Sequence, residues 1–325
     1  MSFLKTALCP RAALAQFVGA EVDDLVFVPN TTSGVNTILR SLTFVPEDEL
    51  LVTSHKYAAC LIALNYDAER SGMRAVVMNI PFLLHCEDEI LARVLTAVRL
   101  RTRLALPDHV SSLTRLGILV EKLVRELGAP GMAPLNVTKK RRGLRHQQLP
   151  HMALRPERCG VSMSLASKQN SIRPLGIGNG ASSSRKDRSR LQINFAWTVT
   201  SSPAAYLCVL VVLKFMGSLL PDGWPEIMVQ NRPLAIAARK VLGAELNVSE
   251  PYPEEFPSSL AAVLLPDASL QRHPLNEDPV QDWLRAQPAL RLRSCRGPRH
   301  RNACSASRCN FTTRCRNNYG WLIPW

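Results

Sequence analysis

The residues of this chain whose types and spacing can do chemistry fall in three places. NTTSGVN, Asn30 to Asn36, joins the apolar run LVFVP to a helical pattern, so that hydroxyls and backbone N–H groups gather at a helix N-terminus. Unpaired amides and the positive end of the helix dipole suit that position to a phosphate; the plainer reading is a helix cap by Thr31 or Thr32. VTKKRRGLRHQQLPHMALRPERCG, Val137 to Gly160, sets Lys139, Lys140, Arg141, Arg142, Arg145, Arg155 and Arg158 against one acid, Glu157. Clustered cations release counterions from a polyanion, but the run has neither interleaved aromatics nor a reading helix, so nucleic acid is the alternative partner and not the expected one. Cys295, Cys304, Cys309 and Cys315 have eight, four and five residues between them. Structural zinc sites use close CxxC pairs, which this tail lacks.

The net charge of +14 is confined to two segments. Residues 1–128 sum to −1 and residues 191–290 to −4, whereas residues 129–190 carry +11 and residues 291–325 carry +8. A cationic surface spread over the whole fold is therefore excluded, and the two basic segments need their own explanation. At 325 residues and 46% hydrophobic the chain can bury a sizeable core. The other cysteines, Cys9, Cys60, Cys86, Cys159 and Cys208, are scattered like reduced thiols, which suggests a cytoplasmic protein. MSFLKTALCPRAALAQF lacks the uninterrupted apolar stretch and cleavage site of a signal peptide. AYLCVLVVLKFMGSLL, Ala205 to Leu220, is broken by Lys214 short of a membrane span and reads as a buried helix.

The elements that must position these residues alternate through the first third. A helix around Ala13 to Val18 precedes the strand LVFVP, the helix SGVNTILRSL, the strand ELLVT, the helix YAACLIALNYDAERSG and the strand RAVVMNI. Repeated strand, helix, strand units imply a parallel sheet covered by helices. EDEILARVLTAV continues as a helix, RTRLALPDHV as a strand and VEKLVRELG as a helix ending at Gly128. From Pro130 to Ser184 no period survives. Patterning resumes at RSRLQINFAW, with a helix over Trp224 to Asn247, the strand LAAVLLP and the short helix QDWLRAQ, and is lost again past Pro288.

ALAQFVGAEVDDLVFVPNTTSGVNTILRSLTFVPEDELLVTSHKYAACLIALNYDAERSG resembles the early large domain of class V aminotransferases, in particular the isopenicillin N epimerase-like group of pyridoxal-phosphate enzymes. The resemblance continues through DHVSSLTRLGILVEKLVRELGA and returns at DRSRLQINFAWTVTSSPAAYLCV and MGSLLPDGWPEIMVQNRPLAIAARKVLGAELNV. It implies an amino-acid substrate, pyridoxal 5'-phosphate as cofactor and a homodimer. It also implies that Thr31 and Thr32 hold the cofactor phosphate, that Tyr57 of SHKYAA lies on the pyridine ring and that Ser111 and Ser112 of DHVSS approach the cofactor. Thr200 of WTVT would reach a phosphate across the dimer interface. The plain alternatives are a core position for Tyr57 and a turn cap for the two serines.

Two residues central to the family's chemistry are not found. A Schiff-base lysine attaches the cofactor, and an aspartate keeps the pyridinium nitrogen protonated so that the ring accepts carbanion charge. The family carries that aspartate in a VDGAHAPG-like stretch, but here ELGA runs directly into PGMAPLN. The lysine belongs to a NCHKWLCAPKG-like segment, where the first basic run lies. Read one base out of frame, HQQLPHMALRPERCG can encode that segment, with Met152 and Ala153 forced to give tryptophan. His151 then yields isoleucine or threonine where the lysine should stand, since its codon is CAT or CAC. CSASRCNFTTRCRNN can likewise be read in the other shifted frame as LRISVQLYNTLPQ, similar to the segment whose arginine holds the substrate carboxylate. The chain also starts after the family's NHGSFG-like stretch, and WTVTSSP departs from WTGT-x-D at Val199 and Ser202.

The resulting expectation is an incomplete fold-type I, three-layer α/β/α sandwich with a remnant C-terminal small domain. Residues 1–128 form the N-terminal part of the large domain, 129–184 an irregular basic segment, 185–232 the end of the large domain, 233–290 the small-domain remnant and 291–325 a disordered basic tail. Catalysis is expected to be weak or lost, with no covalent attachment of cofactor. Lys139, Lys140 and Lys168 are taken as the only amines near the site, and none is assigned to catalysis.

Overall fold

The computed structural model describes residues 3–81, 83–108, 111, 114, 144–147, 160–164, 169–196, 198, 200, 202–256, 260–264, 292–296 and 309–313. The expected helices VEKLVRELG and QDWLRAQ lie outside them, as do Lys139, Lys140, Lys168 and Ser112. Among the described residues no helix is long and apolar enough to cross a membrane.

The organising element is β2, Glu49–Thr53, whose five residues are all buried. It runs parallel to β3, Arg74–Met78, and to β4, Thr102–Leu106, giving the order β3-β2-β4. A strand paired on both sides and covered on both faces reads as an unbroken apolar run, and ELLVT is nearly that. The connection from β2 to β3 is α3, Ala58–Ser71, and that from β3 to β4 is α4, Glu87–Ala97. Gly72 ends α3 in the left-handed conformation, φ 73°, and its N–H closes on the Ala68 carbonyl, a helix end that only glycine adopts without strain.

Alternation along β2 sends side chains to two cores. Leu51 packs with Met78, Ile80, Leu84, Ile90 and Val94 on the α4 side, joined there by Tyr252 and Phe256. Leu50 and Val52 pack on the other side with Val35 and Leu39 of α2, Thr31–Ser41, and with Cys60, Leu64 and Ala68 of α3. Helices on both faces of a parallel sheet make the three layers of a fold-type I α/β/α sandwich.

Three expectations need correction. β1, Leu25–Val28, does not enter the parallel sheet: it pairs antiparallel with β6, Gly160–Ser164, which pairs in turn with β5, Leu144–Gln147. Two strands thus arise inside the segment expected to be irregular. A third sheet of order β7-β9-β8 joins Ala261–Leu264 to Cys309–Thr313 and Leu292–Arg296, so the basic tail contributes strands as well. Val161 and Met163 alternate with Ser162 and Ser164, and Cys309 and Phe311 with Asn310 and Thr312, a period too short to stand out from the basic residues around it. Finally, the apolar helix read as buried is only half so. It is α6, Ala204–Gly217, which follows α5, Arg190–Ala196, and precedes α7, Trp224–Leu246. Val209 and Met216 are buried, and Phe27 stacks on Tyr206 with ring centroids 5.0 Å apart, but Cys208, Val211 and Phe215 form an exposed stripe.

The chain returns to the fold after the first basic segment through polar contacts. Gln169 donates to Asp24 at 2.9 Å, and Gln192 of α5 donates to Asp23 at 2.8 Å while accepting from Arg11 of α1, Phe3–Val18, at 3.1 Å.

Candidate functional site at the strand ends

The C-terminal ends of parallel strands are where α/β folds bind ligands, because the strand-to-helix turns leave helix N-termini open there. Here the turn before α2 follows the antiparallel β1, and the parallel ends carry His55 to Tyr57 after β2 and Asp108, Ser111 and Thr114 after β4.

At the first, Asn30 is the N-cap: its extended backbone lets the side-chain oxygen accept the Ser33 N–H at 2.8 Å, and its carbonyl accepts from Gly34. The expected cap by Thr31 or Thr32 is thus corrected, since they stand one and two residues later, inside the first turn. Thr31 Oγ1 is buried and makes no hydrogen bond. Burial pushes the nearby Cys60 thiol up, with the Lys56 charge and the Thr32 side chain pulling the other way.

Behind this turn lies an ion pair. Lys56 Nζ is 2.5 Å from Asp108 Oδ1 and donates also to the Leu106 carbonyl at 3.1 Å. The side chains are 7% and 16% exposed, so both charges are largely taken out of water. Burial raises the Asp108 carboxyl above the ordinary range, opposed by the Lys56 charge, and Oδ2 has no hydrogen-bond partner.

The third group is a buried polar chain. His55 Nδ1 meets Thr114 Oγ1 at 3.1 Å, and Ser111 Oγ shares a short hydrogen bond with the same hydroxyl. Tyr252, far along the sequence, donates its OH to the Thr114 carbonyl at 3.1 Å and accepts the Ala262 N–H at 3.1 Å. His55 Nε2 and Thr53 Oγ1 remain unbonded though buried. Orphaned buried polar atoms are costly and uncommon. Four of them, on Thr31, Thr53, His55 and Asp108, gathered at the ends of adjacent strands and the mouth of α2, suit a polar ligand.

Burial depresses the His55 imidazole to about 4, the Ile80 backbone acting the other way. Between that value and the ordinary 6.5 the unfolded chain holds a proton that the folded chain refuses, so this contribution is complete above pH 6.5 and is lost as pH falls toward 4. The expected loss is about 3 kcal/mol on the linkage scale. Urea titrations at pH 7 and pH 4.5 should show it, and His55→Gln should remove most of the difference between the two curves; an unchanged difference would put the acid sensitivity elsewhere.

Of the positions anticipated from sequence, Thr31, Thr32 and Ser111 sit on these three strand-end turns. Tyr57 is not core: it is 46% exposed at the start of α3, where its carbonyl accepts from Cys60 and Leu61. Thr200 is exposed on the segment between α5 and α6. Lys56, Asp108, His55, Thr114 and Tyr252 were missed. A signal existed for two of them, because opposite charges closing the apolar runs ELLVT and TRLAL are buried only when paired. Arg239, a fully buried residue of α7, bonds Glu250 at 2.7 Å and the Tyr252 carbonyl at 3.0 Å, so its charge is already matched.

Residues 5–179 match the family model described as Aminotransferase class-V. The chain belongs to that family. Its members use pyridoxal phosphate and act on amino-acid substrates. The isopenicillin N epimerase of Streptomyces clavuligerus is 30% identical over 122 residues, 38% of this chain and 31% of that protein. Hercynylcysteine sulfoxide lyase of Schizosaccharomyces pombe is 22% identical over 262 residues, 75% of this chain and 66% of that protein. The matches thus span about a third of the epimerases and just under two thirds of the lyase. The fold is similar to that of the cystine C–S lyase C-DES bound to its product cysteine persulfide, with TM-score 0.69 at 16% identity over 96% of this chain and 82% of that one. It is equally similar to the apo cysteine desulfurase of Thermococcus onnurineus NA1, with TM-score 0.69 at 16% identity over 89% and 73%.

The residues present fit the phosphate of the family cofactor. The α2 N-terminus leaves the Thr31 and Thr32 N–H groups without intrahelical acceptors, and Thr31 Oγ1 is buried with nothing to bond.

Proposed function

We propose that this chain is a degenerate class V protein that binds pyridoxal phosphate through the mouth of α2 and catalyses little or no transamination or epimerisation. The observation that carries the reading is the unbonded Thr31 hydroxyl at an open helix N-terminus, beside a buried amine and carboxylate. Thr31 and Thr32 would hold the phosphate by hydroxyl and backbone N–H, and Tyr57, exposed at the start of α3, would lie on the ring. Bound cofactor supplies an electron sink for carbanion formation at an amino-acid α-carbon. Using that sink requires an acid on the ring nitrogen and a clamp on the substrate carboxylate, and the family motifs for both are missing from the sequence.

The same reading takes the two basic segments as products of shifted frames, and the chain as a cytoplasmic homodimer. Support for the dimer comes from the Val211 and Phe215 stripe on α6 and the exposed Thr200. Support for the compartment comes from the free thiols of Cys60, Cys86 and Cys208.

Equilibrium dialysis with pyridoxal phosphate tests the cradle. Thr31→Val should weaken binding about tenfold, the value of one hydrogen bond to a charged group. Thr200→Val should weaken it only in the dimer. Equal affinity of the chain and Thr31→Val for the cofactor would remove the basis of the proposal.

A further inference from the structure

The segment that carries the chain from Ile172 to α5 holds a chemistry independent of any cofactor. Of the chain's asparagines, Asn179 alone precedes a glycine. It opens a 3₁₀ turn, Asn179–Ser182, and its side chain is exposed. Gly180, in the same turn, presses on α5 so closely that a Cβ there would collide with the Ile193 carbonyl oxygen, and no larger residue fits. Packing thus requires glycine where the lack of a side chain leaves the backbone nitrogen open to the preceding amide. That nitrogen stands in the first turn and has no hydrogen-bond acceptor among the described residues.

We propose that Asn179 is a site of spontaneous backbone rearrangement whose rate is set by Arg190. The Gly180 nitrogen attacks the side-chain carbonyl carbon of Asn179. The new carbon–nitrogen bond closes a five-membered imide, and the side-chain nitrogen leaves as ammonia, taking the proton released from Gly180. Water then opens the ring at either carbonyl to give aspartate or isoaspartate, without oxidant or reductant. Helical ψ at Asn179 turns the Gly180 nitrogen away from the side-chain carbonyl, so the attack waits for the turn to open. The turn's own backbone bonds run from the Ala181 N–H to Gly178 at 3.0 Å and from the Ser183 N–H to Gly180 at 3.3 Å. Arg190 reinforces them, donating to the Ala181 carbonyl and to the Ser183 carbonyl, the latter at 2.8 Å. Isoaspartate lengthens the main chain by a methylene beside Gly180 and displaces it from Ile193, in the helix whose Leu191 is fully buried with Val26 and Ile38.

The test is incubation of the full chain at pH 8, with and without urea, followed by peptide mass spectrometry and by isoaspartyl methyltransferase labelling, which marks isoaspartate. The expected result is isoaspartate at Asn179, formed more slowly in the folded chain than in urea. Arg190→Gln removes the charged donor and should speed the folded-state reaction about tenfold, as expected for loss of a hydrogen bond from a charged group. Arg190→Lys keeps a charged donor and should fall between the two. Arg185→Gln gives up a bond to Asp187 but leaves both carbonyls held, so its rate should not change. Urea midpoints are measured for each chain, and if Arg190→Gln does not fold, Arg190→Lys carries the comparison. A folded chain that forms no isoaspartate at Asn179 by the time the chain in urea has converted overturns the site. Equal rates in the unaltered chain and the folded Arg190 variant, or the same acceleration in Arg185→Gln, overturn the control by Arg190.

Discussion

Asp108→Ala should destabilise the chain by about 3 kcal/mol, the lower part of the range for stripping one partner from a buried ion pair. The lower part applies because Asp108 keeps 16% exposure, enough for some water to reach Lys56 once the carboxylate is gone. What remains is an ammonium 7% exposed, whose retained contact is the Leu106 carbonyl. Replacing both members, as in Lys56→Met with Asp108→Leu, removes the two desolvation costs together and should return stability to within about 1 kcal/mol of the starting chain. Urea unfolding of the three proteins gives the comparison. A loss below about 1 kcal/mol for Asp108→Ala alone would mean that the pair is screened like a surface bridge, and the site would lose its claim to a low-dielectric amine.

Leu51→Ala should cost about 3 to 4 kcal/mol. Leu51 is fully buried in the middle of β2 and touches both edges of its layer: Met78 and Ile80 on one side, Ile90 and Val94 of α4 above. It also packs in the cluster that holds Tyr252 and Phe256, so the cavity left by alanine lies under the contact that brings the later part of the chain against the sheet. Relaxation around a paired strand is small, which keeps the cost from collapsing. Leu100→Ala is the matched control: Leu100 is 98% exposed and its truncation should stay within about 0.5 kcal/mol. Equal effects of the two substitutions in urea would contradict the core described for this sheet.

Much of the first third was legible from local pattern. ELLVT and RAVVMNI mark β2 and β3 because apolar runs between helical periods have few other ways to be buried, and the alternation of Leu50, Leu51 and Val52 between two cores follows from strand geometry. The placement of β1 was not legible, since its partner β6 lies in a segment with no pattern and pairing is decided by backbone contacts over a separation of more than a hundred residues. α6 misled for a related reason: its composition speaks for burial on all sides, but among the described residues its Val211 and Phe215 stripe stays exposed.

The candidate site divides in the same way. Thr31 and Thr32 were visible because strand, hydroxyl turn and helix are contiguous in sequence. His55, Thr114 and Tyr252 were not, because their hydrogen bonds join three distant stretches and no spacing rule connects them. Lys56 and Asp108 lie inside SHKYAA and DHVSS, but a charged residue type does not by itself reveal burial.

α-Proton exchange separates a cofactor cradle without turnover from a working enzyme. The chain saturated with pyridoxal phosphate is incubated with amino acids in deuterium oxide, and deuterium at the α-carbon is followed by NMR. Exchange no faster than with free cofactor is expected for both enantiomers, because the family motifs for the ring-nitrogen acid and the substrate clamp are not found in the sequence. Saturable, protein-dependent exchange that disappears in Thr31→Val would contradict it and would make this chain a working class V enzyme.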